Sequence, residues 1–269
     1  MGGRTLRMNG PLWTGIHPSA LIHDAAELGP DVSVGPWTII GPGVAIGAGT
    51  TVGPHVLIER DTVIGRDCRI HHGAVLGTDP QDLKFEDEVT QLVVGDRTVI
   101  REYATLNRGT GASGRTAVGA DCMLMAYVHV AHDCHIGDHV ILSNAVNMGG
   151  HVTIGDWAIV GGLTPIHQFV RIGTHAFVGG ASRVSKDVPP YVRAAGSPME
   201  LSGLNSVGLR RRGFSDEVRL ELKRAYRLFF ASEHNVSQAL ERARTELSAL
   251  PEVETFIAFV EESERGVAL

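Results

Sequence analysis

The chain repeats an aliphatic residue at every sixth position over most of its length. Stepping by six from Ile16 gives an Ile, Leu or Val at each step as far as Leu76. The series resumes over 94–106 and again over 118–184, and Met148 is the one exception to Ile, Leu or Val in 26 hexads. Such regular self-similarity indicates a stacked repeat fold.

Two other positions of the hexad, counted from its aliphatic residue, follow the same period. The second residue is often Gly, as in Gly29 and Gly35, and the fifth is small or β-branched, as in Val32 and Thr38. Period-two alternation predicts a short strand whose fifth residue and next aliphatic residue point inward, followed by a corner that Gly permits. Three such sides make an 18-residue coil, and coils stack at about 4.8 Å. The sequence therefore predicts a mainly β protein, a parallel β-helix.

The hexad register also predicts the environment of the three cysteines. Each occupies the fifth, inward position of its hexad: Cys68, Cys122 and Cys134. We therefore expect small buried hydrophobic residues rather than reactive thiols.

Two polar excursions interrupt the repeat, TDPQDLKFEDEVTQ (78–91) and GTGASGRTA (109–117). The first carries Asp82 and Lys84. A solvated loop is the simplest interpretation, but a hexad array has no structural need for such an interruption. Long loops on rigid scaffolds are often functional, so the first excursion is a candidate site.

The coil is predicted to end near 187–191, where two prolines cannot continue a ladder. Helical spacing follows: Ser215 is a candidate N-cap, Asn235 precedes a second amphipathic stretch, and Pro251 opens a third. We predict two domains, a β-helix over 15–191 and a small helical domain over 198–269.

Composition narrows the classes of function. The 269 residues carry a formal charge of −6, which does not favour binding to nucleic acid or to an anionic membrane surface. No run of 18 apolar residues exists, and the start lacks a signal-peptide pattern, so we expect a cytoplasmic protein without membrane insertion. A basic cluster at 210–212 is either solvated or placed to hold phosphate or an acidic partner.

The register brings three polar or flexible residues into one outer column. His132 is the third residue of its hexad, and steps of 18 lead to Gly150 and then Gln168. A general base, an unobstructed backbone N–H and an amide donor in one file suit acyl transfer. The adjoining column, also expected on the outer surface, holds Asp133, His151 and Phe169.

Two alternatives apply to this histidine-rich region, which also includes His129 and His167 facing outward nearby. The histidines are solvated corner residues, or they bind zinc. The spacing of His129, His132 and His135 suits a helix face, whereas residues three apart around a coil corner diverge. We therefore expect no metal site.

Ordered motifs over residues 15–265 then suggest a family: QDLK, IRE…NRGT, HVAHDC, GGHVTIGD, HQFVRIG, DVPPYV and LRRRGF. In this order they resemble the UDP-N-acetylglucosamine O-acyltransferases, which catalyse the first step of lipid A synthesis in Gram-negative bacteria. The resemblance implies a left-handed β-helix and a homotrimer with active sites in the clefts between subunits. It also implies transfer of an (R)-3-hydroxyacyl group from the phosphopantetheine of acyl carrier protein to the 3-hydroxyl of UDP-N-acetylglucosamine, with neither metal nor cofactor in the enzyme.

The resemblance also implies roles for matching residues. His132 would be the general base, Asp133 would orient it, and the N–H of Gly150 would bind the oxyanion. Gly180 matches the position that limits acyl-chain length. The positions matched to substrate contacts are Asp82 and Lys84 for the sugar and phosphate side, His129, His151, His167 and Gln168 for the cleft, and Asn205, Arg211 and Arg212 for the nucleotide.

Two positions depart from the family pattern. Asn107 stands in the substrate cleft where some members carry His, and Val207 stands near the nucleotide where some carry Glu. The acceptor group, a 3-hydroxyl or a 3-amine, is therefore left open.

Three other functions are weighed against this one. An N-acyltransferase later in the same pathway shares the coil, but it typically has an additional N-terminal domain, whereas the hexads here begin at Ile16. A metal-dependent hydratase of the γ-carbonic-anhydrase type also uses hexads. A non-catalytic scaffold would need neither the His-Asp pair nor the polar excursion.

Overall fold

The computed structural model describes residues 13–268. Residues 1–12 and Leu269 lie outside the described residues. Residues 1–12 include most of the N-terminal segment that lacks a signal-peptide pattern. Between them, one stack of short strands runs from the N-terminal side and is followed by four helices.

The first thirteen strands are Leu21–Ile22 (β1), Glu27–Leu28 (β2), Ser33–Val34 (β3), Ile39–Ile40 (β4), Ala45–Ile46 (β5), Thr51–Val52 (β6), Leu57–Ile58 (β7), Thr62–Ile64 (β8), Arg69–Ile70 (β9), Val75–Thr78 (β10), Gln91–Val94 (β11), Val99–Ile100 (β12) and Thr105–Asn107 (β13). The others are Arg115–Val118 (β14), Met123–Leu124 (β15), His129–Val130 (β16), His135–Ile136 (β17), Ile141–Leu142 (β18), Asn147–Met148 (β19), Thr153–Ile154 (β20), Ile159–Val160 (β21), Pro165–Ile166 (β22), Arg171–Ile172 (β23), Phe177–Val178 (β24), Val192–Ala195 (β25) and Glu200–Leu204 (β26).

Every third strand joins the same sheet, which gives the three faces of a coil. Sheet 1 contains β1, β4 and every third strand to β22; sheet 2 runs in the same way from β2 to β23; sheet 3 runs from β3 to β24 and continues into β25 and β26. All pairs are parallel except the last, and Leu21 pairs with Ile39, 18 residues on. The predicted parallel β-helix is confirmed.

The core is a stack of first and fifth hexad residues. Val34, Ile58 and Leu106 are fully buried first residues, and Thr38 and Thr50 are fully buried fifth residues. All three cysteines are buried, as predicted. Burial raises the pKa of the Cys122 thiol to about 11 and that of Cys134 to about 12, so both remain protonated and unreactive near neutral pH.

The second-position glycines are needed for a reason other than the predicted one. Gly35 does not adopt a positive φ; a Cβ on it would lie 2.7 Å from the backbone carbon of Gly53 in the next coil. Left-handed backbone occurs instead at the fourth residue, as in Trp37 (φ 55) and His55 (φ 53). Glycine therefore allows adjacent coils to approach closely, and the fourth residue turns the corner.

The coil continues one strand beyond its predicted end. Val188 pairs with Ile172, although the 18-residue repeat would pair Ile172 with position 190, so the hexad register shifts by two residues here. Strand β25 then lies parallel to β24. In this shifted register Pro190 is a third residue, as are Pro36 and Pro54. The N–H of the third residue takes no part in the backbone ladder of the coil. A proline there removes no ladder hydrogen bond, so sheet 3 continues into β25 and the predicted stop was wrong for that sheet. Pro189 is a second residue, a position whose N–H does donate in the ladder, and sheet 2 makes its last pairing at Val188.

Four helices follow: Ser206–Arg211 (α1), Asp216–Phe230 (α2), Val236–Glu246 (α3) and Pro251–Glu261 (α4). Ser215 and Asn235 cap α2 and α3, and Pro251 occupies the first turn of α4, as predicted. The short α1 was not predicted. Helices α2 and α4 pack through Phe229 and Phe256, whose ring centroids lie 5.7 Å apart. Among residues 13–268, no helix is both long enough and apolar enough to cross a bilayer.

Candidate active site

Both excursions and the histidine column lie at the same corner of the coil. The first excursion joins β10 to β11 and the second joins β13 to β14, so both run from sheet 1 to sheet 2. His132 lies between β16 and β17, at this corner one coil further on. The 1–2 corner, as we call it, therefore carries every irregular segment within the hexad array.

The predicted stacking of His132, Gly150 and Gln168 is confirmed. A Cβ on Gly150 would lie 2.6 Å from Nε2 of His132 and 2.5 Å from its Cε1, so the imidazole rests directly over this glycine. The N–H of Phe169 donates to the carbonyl of Gly150 at 3.1 Å, which places Gln168 one coil above. Like other third residues, Gly150 keeps its N–H out of the ladder, and that N–H has no hydrogen-bond acceptor among the described residues. The group is available to an anionic oxygen.

His132 forms a close pair with Asp133. Nδ1 of the imidazole lies 2.7 Å from Oδ2 of the carboxylate. The Asp133 side chain is fully buried and that of His132 is 13% exposed. The expectation that the Asp133 column faces outward is thus wrong for Asp133, because the second excursion covers it.

Hydrogen bonds keep the Asp133 carboxylate charged. Its Oδ1 accepts from the backbone N–H of Thr110 at 3.0 Å and its Oδ2 from the Thr110 hydroxyl at 2.8 Å, and the Ser113 hydroxyl also donates to Oδ1. Burial alone would raise the pKa of Asp133, but the bonds from Ser113, His132 and Thr110 outweigh burial and lower it to about 2. Asp133 is an anion at every pH of interest.

The charge of Asp133 sets the tautomer of His132. An ionised carboxylate only accepts hydrogen bonds, so Nδ1 of His132 must carry the proton that joins them. Nε2 of the neutral ring then bears the lone pair, on the side of Gly150. This arrangement gives His132 the form of a general base.

Further aromatic rings occupy the same part of the coil as the pair. His129 Nδ1 lies 2.7 Å from the hydroxyl oxygen of Thr105; burial, with His132 nearby, lowers its pKa, so it is neutral. The ring of His151 meets that of His132 edge-on and stacks on Phe169, with centroids 4.5 Å apart. His167 is exposed, and its Nδ1 lies 3.1 Å from the carbonyl oxygen of Gln168. Of these three predicted histidines, His151 contacts the ring of His132 directly.

The residues predicted to hold the sugar do not meet His132 within one chain. Lys84 is exposed, and its N–H donates to Asp82 at 3.0 Å; in the part of the chain described, neither side chain bonds to the histidine column. Asn107 is only 2% exposed, and its amide donates to Thr78 and to the carbonyl of Asp79. It lies below the surface, so its contact with substrate stays a prediction.

The nucleotide residues and Gly180 lie at the other two corners. Arg212 stacks 4.1 Å above the ring of Trp157, between sheets 2 and 3, and Arg211 is exposed. Asn205 caps α1 by accepting from Gly208, and its amide donates to the carbonyl of His175 at 3.0 Å, so it has a structural role. Gly180 follows β24, between sheets 3 and 1.

One cluster has the composition of a metal site. Ligand atoms of His132, Asp133 and His151 lie within 4.8 Å of one another, the one such group in residues 13–268. Both oxygens of the carboxylate already accept hydrogen bonds from Thr110, Ser113 and His132. A cation would have to displace these donors, so the residues do not fit a metal centre.

Sequence reasoning missed Thr110, Ser113 and the fully buried Arg108. Counting hexads offered a signal, because Leu106 belongs to sheet 1 and Val118 to sheet 2, twelve residues apart instead of six. The second excursion therefore had to lie at the 1–2 corner, one coil before His132.

These features define a class of protein. A coil of six-residue turns with a His-Asp pair and a free N–H at an outer corner has the parts of a hexapeptide-repeat acyltransferase. A family model described as bacterial transferase hexapeptide (six repeats) matches residues 45–78 and 115–149. A second, described as UDP N-acetylglucosamine O-acyltransferase, domain 2, matches residues 187–268.

Relatives extend the match along the chain. The acyl-[acyl-carrier-protein]–UDP-N-acetylglucosamine O-acyltransferase of Anaeromyxobacter dehalogenans is 47% identical over 94% of this chain and 98% of its own. That of Burkholderia mallei is 49% identical over 70% of this chain and 74% of its own. The crystal structure of the UDP-N-acetylglucosamine acyltransferase of Bacteroides fragilis aligns with a TM-score of 0.93 and 42% identity, covering 94% of this chain and 99% of that one.

The chain belongs to the UDP-N-acetylglucosamine O-acyltransferase family. It is an acyltransferase built on a left-handed parallel β-helix, as the order of its motifs predicted.

Proposed function

We propose that this chain transfers an (R)-3-hydroxyacyl group from acyl carrier protein to the 3-hydroxyl of UDP-N-acetylglucosamine, the first step of lipid A synthesis, with His132 as general base. The observation that carries the assignment of the base is the 2.7 Å pair with buried Asp133, which places the lone pair of the neutral imidazole on Nε2, next to Gly150. The proposed identity of the two substrates is supported by the names of relatives that align with 94% of the chain.

The reaction follows from these groups. Nε2 of His132 takes the proton of the sugar hydroxyl as its oxygen attacks the thioester carbonyl carbon of the acyl donor. The N–H of Gly150 donates to the oxyanion that forms. The carbon–sulfur bond then breaks, and the imidazolium, stabilised by Asp133, returns the proton to the departing thiolate. The phosphopantetheine of acyl carrier protein supplies the thioester, and no step needs a metal or an enzyme-bound cofactor.

We further propose a homotrimer with active sites between subunits. Three groups of predicted site residues lie at three different corners of one chain, so one chain does not bring His132, Arg212 and Gly180 together. The first two strands of sheet 1 expose apolar side chains, with Leu21 65% and Ile39 46% exposed, as a subunit interface there would require. Substrate contacts of Asp82, Lys84, Gln168 and Arg211, like the cytoplasmic location, stay predictions.

A 3-amino sugar remains the alternative acceptor, because Asn107 stands where some family members carry His. The metal-dependent hydratase is not supported, since the family is one of acyltransferases and the His-Asp-His cluster does not fit a metal.

The test is a transfer assay with purified protein. Acyl carrier proteins bearing 3-hydroxyacyl chains of several lengths are offered with UDP-N-acetylglucosamine or its 3-amino analogue, and products are identified by mass spectrometry. We expect His132→Ala to lower kcat by about 10²–10⁴-fold, with a Tm close to that of the wild type. His23→Ala, at an exposed residue of the first coil, is the matched control and should keep full activity. Near-normal turnover by His132→Ala, or activity lost on chelation and restored by zinc, would contradict the proposal.

A further inference from the structure

The second excursion folds back onto the base pair of the proposed mechanism. It leaves sheet 1 after β13, places Thr110 and Ser113 against the Asp133 carboxylate and returns to sheet 2 as β14. The carboxylate itself is fully buried. Nothing in the six-residue repeat requires this loop, because the later coils turn the same corner without one.

We propose that Thr110 and Ser113 are positioning residues, which act through Asp133 to hold the imidazole of His132 in its catalytic orientation and tautomer. The inference rests on the proposed function, since it presumes that His132 is the base. Neither residue needs to touch the substrate. Their task is to hold Asp133 so that its Oδ2 faces Nδ1 of His132.

The distribution of hydrogen bonds supports this role. The Thr110 N–H binds Oδ1 and the Thr110 hydroxyl binds Oδ2, so this one residue grips both oxygens and prevents rotation of the carboxylate. The Thr110 hydroxyl oxygen in turn accepts from the N–H of Ala112 at 3.2 Å, which fixes its own direction. A buried anion without such donors would be costly, and it would lower that cost by binding a proton.

Ser113 has two acceptors within reach and one proton. Its hydroxyl oxygen lies 2.9 Å from the carbonyl of Arg115 and closer still to Oδ1 of Asp133. A hydrogen bond to a charged oxygen is about twice as strong as one to a neutral carbonyl. The proton therefore goes to Asp133, and Ser113 adds a third donor from the loop.

The loop is itself anchored. At its start, the fully buried Arg108 donates to the carbonyl of Gly77 at 3.0 Å and forms an ion pair with Asp79 in the first excursion. Its guanidinium also lies 5.7 Å from the ring of Phe85. At its end, the hydroxyl of Thr116 accepts from the N–H of Asp133 at 2.8 Å. Both ends are thus tied down, which a segment that positions another residue requires.

The test compares kcat, KM and pH profiles of full-length variants. Thr110→Val, which keeps the shape and removes the hydroxyl, should lower kcat roughly 10- to 100-fold with KM for the nucleotide sugar unchanged. Thr110→Ser should recover most of that loss, and Thr110→Val/Ser113→Ala should lose more. The matched control is Thr50→Val, because Thr50 is also buried and its hydroxyl makes one donated and one accepted hydrogen bond far along the coil. It should keep wild-type kcat.

The pH profile separates positioning from a structural role. With the donors removed, burial is less opposed and the pKa of Asp133 rises from about 2, so the kcat profile of the variant should show an additional loss at acid pH, where Asp133 binds a proton. If the loop acts through Asp133, then Thr110→Val should cost nothing more in an Asp133→Asn background.

Losses that add in Thr110→Val/Asp133→Asn, or a wild-type kcat and pH profile in Thr110→Val/Ser113→Ala, would overturn the inference while His132→Ala stays inactive. An active His132→Ala enzyme would instead overturn the proposed function and the inference with it. Should Thr110→Val fail to fold, Ser113→Ala in the wild-type and Asp133→Asn backgrounds decides by the same criteria.

Discussion

Replacing Gly150 by Ala tests the geometry of the site with a single methyl group. The new Cβ would lie 2.5 Å from Cε1 of His132, whereas ordinary contact begins near 3.4 Å. The imidazole must therefore move by roughly 0.9 Å. A misplacement of about 1 Å costs a catalytic group on the order of 100-fold in rate. We expect Gly150→Ala to lower kcat by about that factor in the acyl-transfer assay.

The neighbouring Gly149 provides the contrast. A Cβ there would meet the backbone nitrogen of Gln168 at 2.9 Å, and a stacked coil cannot yield as a side chain can. Gly149→Ala should destabilise the fold by about 1–3 kcal/mol, read as a lower Tm, whereas Gly150→Ala should keep a near-normal Tm because only a ring is displaced. Undiminished kcat in folded Gly150→Ala would refute the placement of the His132 imidazole over this glycine.

Other substitutions test separate parts of the molecule. Gly180→Met should shift the preference of the enzyme towards shorter acyl chains, since even the Cβ of the new side chain would lie 3.2 Å from the carbonyl oxygen of Gly162. An unchanged chain-length profile would count against a residue that limits acyl-chain length at this position. Arg211→Ala should raise KM for the nucleotide sugar more than it lowers kcat, and the reverse pattern would argue against a binding role. Burial, with Arg212 nearby, lowers the pKa of His175 from 6.5 to about 4. As the pH drops from 6.5 to 4, the unfolded chain therefore binds a proton at His175 before the folded chain does. The free energy of unfolding should fall across this pH range. His175→Phe should flatten that fall in urea unfolding measured between pH 7 and 4, and an unaltered pH dependence would contradict the assignment.

The histidine column shows how far register alone leads. Because side chains in stacked coils repeat every 18 residues, the order His132, Gly150, Gln168 followed from counting. The same count placed Asp133 in an outward column, but burial depends on what covers a residue. The covering loop inserts six extra residues before the next strand, and its path depends on hydrogen bonds from Thr110 and Ser113 rather than on periodicity.

The prediction of where the coil ends was incomplete for a related reason. Pro189 and Pro190 argued for a stop, since proline cannot donate to a ladder. Only the hydrogen-bond pattern reveals that a third residue donates to no ladder carbonyl, and only the pairing of Val188 with Ile172 shows the two-residue shift. The proline rule therefore holds at Pro189, a second residue, and fails at Pro190, a third residue.

The amino-acid sequence by itself determined the repeat, the inward residues, three of the four helices and the family. These depend on periodicity, capping and motif order, which are local and additive along the chain. Tertiary structure alone decided that Asp133 is buried beneath the second excursion and that Arg108 anchors that loop. It also decided that the predicted site residues are spread over three corners. Such features depend on contacts between segments distant in sequence, where a few hydrogen bonds to a buried charge outweigh any local preference.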